Sequence, residues 1–183
     1  MRISILAIIS LFAFSALSAQ NTLDGQAKIV PESEVERQSN FVNAERERLL
    51  GHFDKAVELY KKFTYDNPNV GAAWYGLART YVSKNDPANA LEAIAKAVET
   101  EPANEWYQIY LADIYEKIGR VKDAVKVYET LTKNKPNTVE FWDKLAYLAV
   151  LSGDPKGGLQ ALERVEKLQG IEEETSMEKH LIY

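Results

Sequence analysis

From Glu32 onward, apolar positions recur every three to four residues, the period of a helix that hides one face. Alternating runs of β-branched residues and Asn-Gly turns, which would signal strands, are almost absent. The predicted helices come in pairs separated by short breaks, and the pattern of the pairs itself repeats. Pro68, Pro102 and Pro136 are spaced 34 residues apart. In the same register stand Ala44, Ala78, Ala112 and Ala146 on the first helix of each pair, and Ala56, Ala90, Ala124 and then Gly158 on the second. Small residues repeated on both helices imply two backbones held close, where a large side chain would overpack at a cost of roughly 1–3 kcal/mol. Larger apolar groups keep the register: Leu77, Leu111 and Leu145; Tyr81 and Tyr115; Tyr60, Ile94, Tyr128 and Leu162; Phe63, Ala97, Leu131 and Val165. One hairpin cannot bury both of its stripes, but stacking the next hairpin on it does, so the expected fold is an all-α solenoid of about four hairpins.

The breaks carry matching turn chemistry. Asp86-Pro87 and Asp154-Pro155 place a capping carboxylate before a proline at the first helical position, where the missing N–H costs nothing. Gly51, Gly119 and Gly153 are expected to end helices, and Asn69, Asn104 and Asn137 or Thr138 to cap the helices after the three prolines. In the first unit Asn40, Asn43 and Glu47 stand where bulky apolar residues are usual, which predicts a partly solvated end.

Ahead of the array, residues 1–19 have one basic residue (Arg2), an apolar run from Ile3 to about Leu17, and small residues at Ala16, Ser18 and Ala19. That is the build of a secretory signal peptide, followed by a polar linker over 20–31. No cysteine follows it to accept a lipid, and the expected location is exported, periplasmic or extracellular. The array is predicted over 32–170, in units of about 37–70, 71–104, 105–138 and 139–172. Over 171–183 a last amphipathic segment begins, and Tyr183 falls two periods after Tyr115. It is expected to act as a capping helix or as the first helix of a further repeat, through which the chain could self-associate.

Composition narrows the function classes. With 46% apolar and 27% charged residues the chain reads as globular, and its net charge of −5 argues against general nucleic-acid binding. The absence of cysteine excludes thiolate catalysis, cysteine-ligated zinc and iron–sulfur clusters. The two histidines, His52 and His180, lack a second histidine at helical spacing, and no Gly-rich phosphate loop, G-x-S-x-G elbow or H-E-x-x-H motif occurs. No catalytic residue, cofactor or metal is predicted, nor any membrane span in the mature chain.

The repeated residues resemble the tetratricopeptide repeat. The second unit supplies Trp74, Leu77, Ala78, Tyr81, Ala90, Ile94, Ala97 and Pro102. The third supplies Leu111, Ala112, Tyr115, Gly119, Ala124, Tyr128, Leu131 and Pro136. The fourth keeps Trp142, Leu145, Ala146 and Gly153, then departs with Gly158 and Gly170, while the first keeps Ala44, Gly51, Ala56, Tyr60 and Pro68. The likeness covers about Arg37 to Gly170. It implies a right-handed superhelix whose first helices line a concave face that binds a protein or peptide without catalysis. With the leader, the chain also looks like exported repeat proteins of Gram-negative bacteria. By helical phase that face carries Phe41, Glu45, Arg48, Tyr75, Arg79, Val82, Trp106, Ile109, Tyr110, Asp113, Glu116, Asp143, Tyr147 and Val150. The expected partner-binding residues are Phe41, Arg48, Tyr75, Arg79, Trp106, Tyr110, Asp113 and Tyr147, since aromatic and arginine side chains dominate binding energy. Family members that clamp a terminal carboxylate use lysine and asparagine here. Only Arg79 could serve in this chain, so that clamp is not expected. The expected function is an interaction scaffold of the cell envelope. The alternatives are an oligomerising module, the N-terminal piece of a longer array, or an accessory subunit of an exported enzyme complex.

Overall fold

A computed structural model of the chain describes residues 32–170, and side chains from Asn40 onward. The expected leader, linker and terminal segment over 171–183 lie outside the described residues. The chain divides after Arg37, and the second unit, from Gln38, contains the hydrophobic core. Among the described residues every element is a helix: α1 Glu32–Leu49, α2 Phe53–Asp66, α3 Gly71–Ser83, α4 Pro87–Thr100, α5 Glu105–Lys117, α6 Val121–Asn134, α7 Val139–Leu151 and α8 Pro155–Gln169. They form four successive hairpins.

The alanine register is the core. Ala44, Ala78, Ala112 and Ala146, with Ala56, Ala90 and Ala124, are all buried. The closeness they permit is visible at Gly158, where an added Cβ would stand 3.2 Å from the carbonyl oxygen of Ala146 and 2.6 Å from Cγ2 of Val150. The fourth unit thus takes glycine where the others take alanine because Val150 leans into the notch.

Each hairpin turns in the same way. Gly51, Asn85, Gly119 and Gly153 sit one period apart with φ of 80°, 57°, 77° and 88°. The next residue then donates its N–H back across the turn: His52 to Glu47 at 2.9 Å, Asp86 to Tyr81 at 2.9 Å, Arg120 to Tyr115 at 2.8 Å and Asp154 to Ala149 at 2.9 Å. This closure satisfies carbonyls that the helix end leaves open. Asn85 fills the glycine position because asparagine tolerates the left-handed region best among residues with a side chain. Gly170, with φ of 66°, closes α8 and accounts for the missing fourth proline.

Helix starts follow the expected chemistry in three places. The Asp86 carboxylate accepts from the Asn89 N–H, Asp154 from the Gly157 N–H, and the Asn104 side chain from the Trp106 N–H. Two expected caps fail. Val70, not Asn69, is the N-cap of α3, and Thr138 at the head of α7 makes no side-chain capping bond. At both sites another group secures the same loop. Trp74 donates its indole N–H to the Pro68 carbonyl at 2.8 Å, and Trp142 to the Pro136 carbonyl at 2.9 Å, six residues back each time. The Arg164 guanidinium stands 5.9 Å from the Trp142 ring and also reaches the Pro136 carbonyl, at 3.3 Å.

Gln108 occupies the same position one period from each tryptophan. It keeps the bond, donating from Nε2 to the Pro102 carbonyl at 2.5 Å, but its Oε1 is buried without a hydrogen-bond partner. The cleft beside it, lined by Val98, Leu111, Tyr115 and Val127 among others, measures about 420 Å³, against about 320 Å³ for the cleft beside Trp74. Replacing Gln108 with tryptophan keeps the donor, removes the orphaned acceptor and fills space. Gln108→Trp is expected to stabilise the chain by about 1–2 kcal/mol and raise Tm by several degrees in a thermal melt. A lower Tm would contradict this account of the cleft.

Candidate functional site

The first helices α1, α3, α5 and α7 each present one row of side chains that lies outside the buried core. At equivalent positions this row reads Glu45, Arg79, Asp113 and Tyr147. Beside it run Phe41, Tyr75, Ile109 and Asp143, and then Arg48, Val82, Glu116 and Val150.

The first part of the row is held by an ion pair. Arg48 Nε donates to Glu45 Oε2 at 3.0 Å, and a second guanidinium nitrogen reaches the other carboxylate oxygen. The hydroxyl of Tyr60, a residue with 0% exposure, donates to the same carboxylate. Arg48 first, then Tyr60 and the Arg79 guanidinium, hold the Glu45 carboxyl down at about 2, against a burial effect that opposes them. Burial, then the Glu45 carboxylate, pushes the Tyr60 hydroxyl up. Room for the Tyr60 ring comes from Gly76 on α3, where an added Cβ would lie 2.5 Å from the ring.

In the middle of the row the aromatics meet. Tyr75 lies 5.1 Å from Tyr110, edge to face, and 5.2 Å from Tyr107. The Arg79 guanidinium stands 5.5 Å from the Tyr75 ring centre. Asp113 is exposed, yet the protein around it desolvates its carboxyl and pushes its pKa up, with Lys144 opposing and Glu116 adding to the shift. An accessible group that is nevertheless desolvated is one walled by neighbouring helices. Tyr110 is pushed up by burial in the same surroundings.

At the far end Lys144 donates to Glu116 at 2.7 Å and stands 5.0 Å from the Tyr147 ring. Tyr147 itself is 53% exposed. Tyr128, one hairpin pair after Tyr60, is pushed up to about 12 by burial and by Asp113 and Glu116.

The structure therefore brings Arg48, Tyr75, Arg79, Tyr110 and Asp113 into one patch. Phe41 is spent on packing: its ring lies 6.1 Å from Tyr60 and 5.3 Å from Phe63. Trp106, in the first turn of α5, is 68% exposed and stands four residues before Tyr110, on the same side of the helix.

Asn40 and Asn43 are half-buried, as a partly solvated end predicts, and Glu47 alone of the three departs from it. It is 4% exposed and meets His52 at 2.8 Å, Lys55 at 3.2 Å and Arg46 at 3.5 Å, which together lower its pKa, His52 most. It takes the position held by Tyr81 and Tyr115 in the next units and replaces a ring with a carboxylate met by His52, Lys55 and Arg46. Sequence reading missed Glu45 and Tyr60 as a pair. The signal was present, since a carboxylate at 45 and a tyrosine at 60 recur as Asp113 and Tyr128, two periods on. Among the described residues no group of three potential metal ligands occurs, and no helix is long and apolar enough to cross a membrane.

Two family models described as tetratricopeptide repeat match the chain, over residues 43–105 and 82–148. The chain is a tetratricopeptide-repeat protein. No protein of curated function matches it in sequence. Its fold is similar to the crystal structure of MamA protein, with a TM-score of 0.65 at 19% identity over 80% of each chain. It is also similar to MamA 41-end from Desulfovibrio magneticus RS-1, with a TM-score of 0.63 at 15% identity over 80% of this chain and 82% of that one. A protein of nearly identical TPR-like repeats from Podosopora anserina gives a TM-score of 0.58 at 21% identity over 80% and 84%. At these identities the likeness establishes the fold. The repeat family is typically non-catalytic and implies protein binding.

Two predictions follow from the Glu45 cluster. Because the folded-state pKa of Glu45 lies below the ordinary 4.5, its contribution is complete above about pH 4.5 and is lost as pH falls toward 2. Melting temperature measured across that window should fall less steeply in Glu45→Gln than in the parent, and parallel curves would contradict the assignment. Gly76→Ala should destabilise the chain by about 1 kcal/mol in urea unfolding, because the clash with the immobile Tyr60 ring outweighs the gain in helix propensity. A stabilised variant would show that Tyr60 can yield.

Proposed function

We propose that the chain is a non-catalytic interaction scaffold that receives a peptide or helical segment of a protein partner on its first-helix face, and that it does so in the cell envelope after export. The observation that supports binding at this face is the patch of half-buried Tyr75, Arg79 and Tyr110 beside exposed Asp113, with Trp106 exposed at its edge. Planar rings and a guanidinium give large contact area with few torsions to freeze, and a face preformed by stacked helices costs little to organise on binding. The reading of export rests on the leader pattern of residues 1–19.

The chain contains no cysteine, so a photo-crosslinker can be attached at one introduced thiol without side products. A probe at Trp106 is expected to capture one dominant protein in cells. A probe at Tyr65, which is 88% exposed on α2, is expected to capture none. Arg79→Ala should reduce capture from Trp106 several-fold while leaving helicity and melting unchanged. Equal capture from both sites, or capture indifferent to Arg79→Ala, would contradict the assignment of this face. Recovery of the leaderless chain outside the cytoplasm supports export, and recovery of the chain with its leader in the cytoplasm contradicts it.

A further inference from the structure

The three junctions between successive hairpins are built alike, with one exception. At the first, Trp74 donates its indole N–H to the Pro68 carbonyl. At the third, Trp142 donates to the Pro136 carbonyl and the Arg164 guanidinium stands 5.9 Å from its ring centre. At the second, Gln108 takes the place of the tryptophan, and an exposed threonine, Thr130, takes the place of Arg164. The second junction therefore lacks both the ring and the cation that lies over it. It keeps a cleft of about 420 Å³, open to solvent on one side. Val98 of α4, Leu111 and Tyr115 of α5 and Val127 of α6 line it, all half-buried, together with Pro102 and Gln108. Gln108 is 8% exposed, and its Oε1 has no hydrogen-bond partner while its Nε2 donates to the Pro102 carbonyl. A buried acceptor left unmatched is rare and costly. The Pro102 carbonyl also has a second lone pair, the counterpart of the one with which Pro136 accepts from Arg164.

We propose that this cleft is a binding site in its own right and that it takes the side chain of a tryptophan presented by a protein partner. The indole lies against the valine, leucine and tyrosine walls, and its N–H donates to the acceptors that Gln108 and Pro102 supply. The chemistry is read from the chain itself, because the junctions on either side fill the equivalent position with an indole of their own, bonded to the equivalent carbonyl. A ring with a single N–H matches apolar walls and an unmatched acceptor. A cationic side chain matches them less well, since the Asp123 carboxylate bordering the cleft is already answered by Arg120 at 2.7 Å and Lys126 at 3.1 Å. The open side favours a group tethered to a partner, because a free small molecule depends on enclosing most of its surface. None of the lining residues belongs to the row at 45, 79, 113 and 147, so the site stands or falls independently of that face.

The test is an NMR titration of the isotopically labelled full chain with short glycine peptides that carry tryptophan, 1-methyltryptophan or leucine at their centre. The tryptophan peptide should shift the side-chain amide of Gln108 and the methyl groups of Val98, Leu111 and Val127, and the shifts should saturate. The 1-methyltryptophan peptide keeps the ring and loses the donor, and should bind about fivefold more weakly. The leucine peptide should bind more weakly still. Gln108→Trp fills the cleft from within and should abolish the saturable shifts. The methyl shifts in the parent chain decide the matter even where that variant fails to fold. Absence of saturable shifts with every peptide, shifts confined to residues away from the cleft, or equal affinity for tryptophan and 1-methyltryptophan would each overturn the proposal. Undiminished binding to a folded Gln108→Trp would do the same. Free 3-methylindole binding as tightly as the tryptophan peptide would make the cleft a small-molecule site and overturn its assignment to a protein partner.

Discussion

The structure depends on the close approach of two helix backbones within each hairpin, made possible by a small residue on each helix. Where Ala146 and position 158 meet, a single methyl would come within 3.2 Å of a backbone oxygen. The buried alanines at 44, 56, 78, 90, 112 and 124 fill the same positions in the other units. Backbones brought that close force the larger neighbours outward, toward the adjacent hairpin, where Tyr60, Ile94 and Tyr128 become buried. Each unit thereby depends on the next.

The same constraint produces the binding face. The first helices keep a row of side chains, at 45, 79, 113 and 147, that lies outside the buried core. In the first unit that row is closed off by Phe41 on Tyr60 and Phe63 and by Arg48 on Glu45. In the second and third units the row holds a half-buried Arg79 and an exposed Asp113 beside a tyrosine pair. The repeat sets the spacing of these groups, and departures from the repeat set their chemistry.

Much of the fold was legible because the register is strict. The 34-residue spacing of Pro68, Pro102 and Pro136, the alanine positions and the caps at Asp86, Asn104 and Asp154 all follow from local chemistry that a single sequence displays. What escaped reading depends on partners brought in by tertiary structure. Asn85 takes a glycine conformation because its turn is fixed by the helices on either side. Asn69 does not cap α3, because Trp74 already anchors that loop. Glu47 looked like a solvated residue because the His52 and Lys55 side chains that meet it come from the following turn and helix. For the candidate site, phase alone placed Tyr75, Arg79, Tyr110 and Asp113 on one face. It could not separate Phe41, which packs, from Trp106, which is exposed, since both are aromatic residues on first helices.

If the array is held together by neighbour contacts in a common register, one whole unit can be removed from within it. Deleting residues 104–137, one period, joins α4 to α7 in their proper phase. Urea unfolding of this chain should remain a single cooperative transition, with a smaller dependence on urea because less surface is buried, and with helicity per residue unchanged. Deleting half a period should abolish cooperative unfolding. Loss of cooperative folding in both deletions would contradict the account, and so would its retention in both.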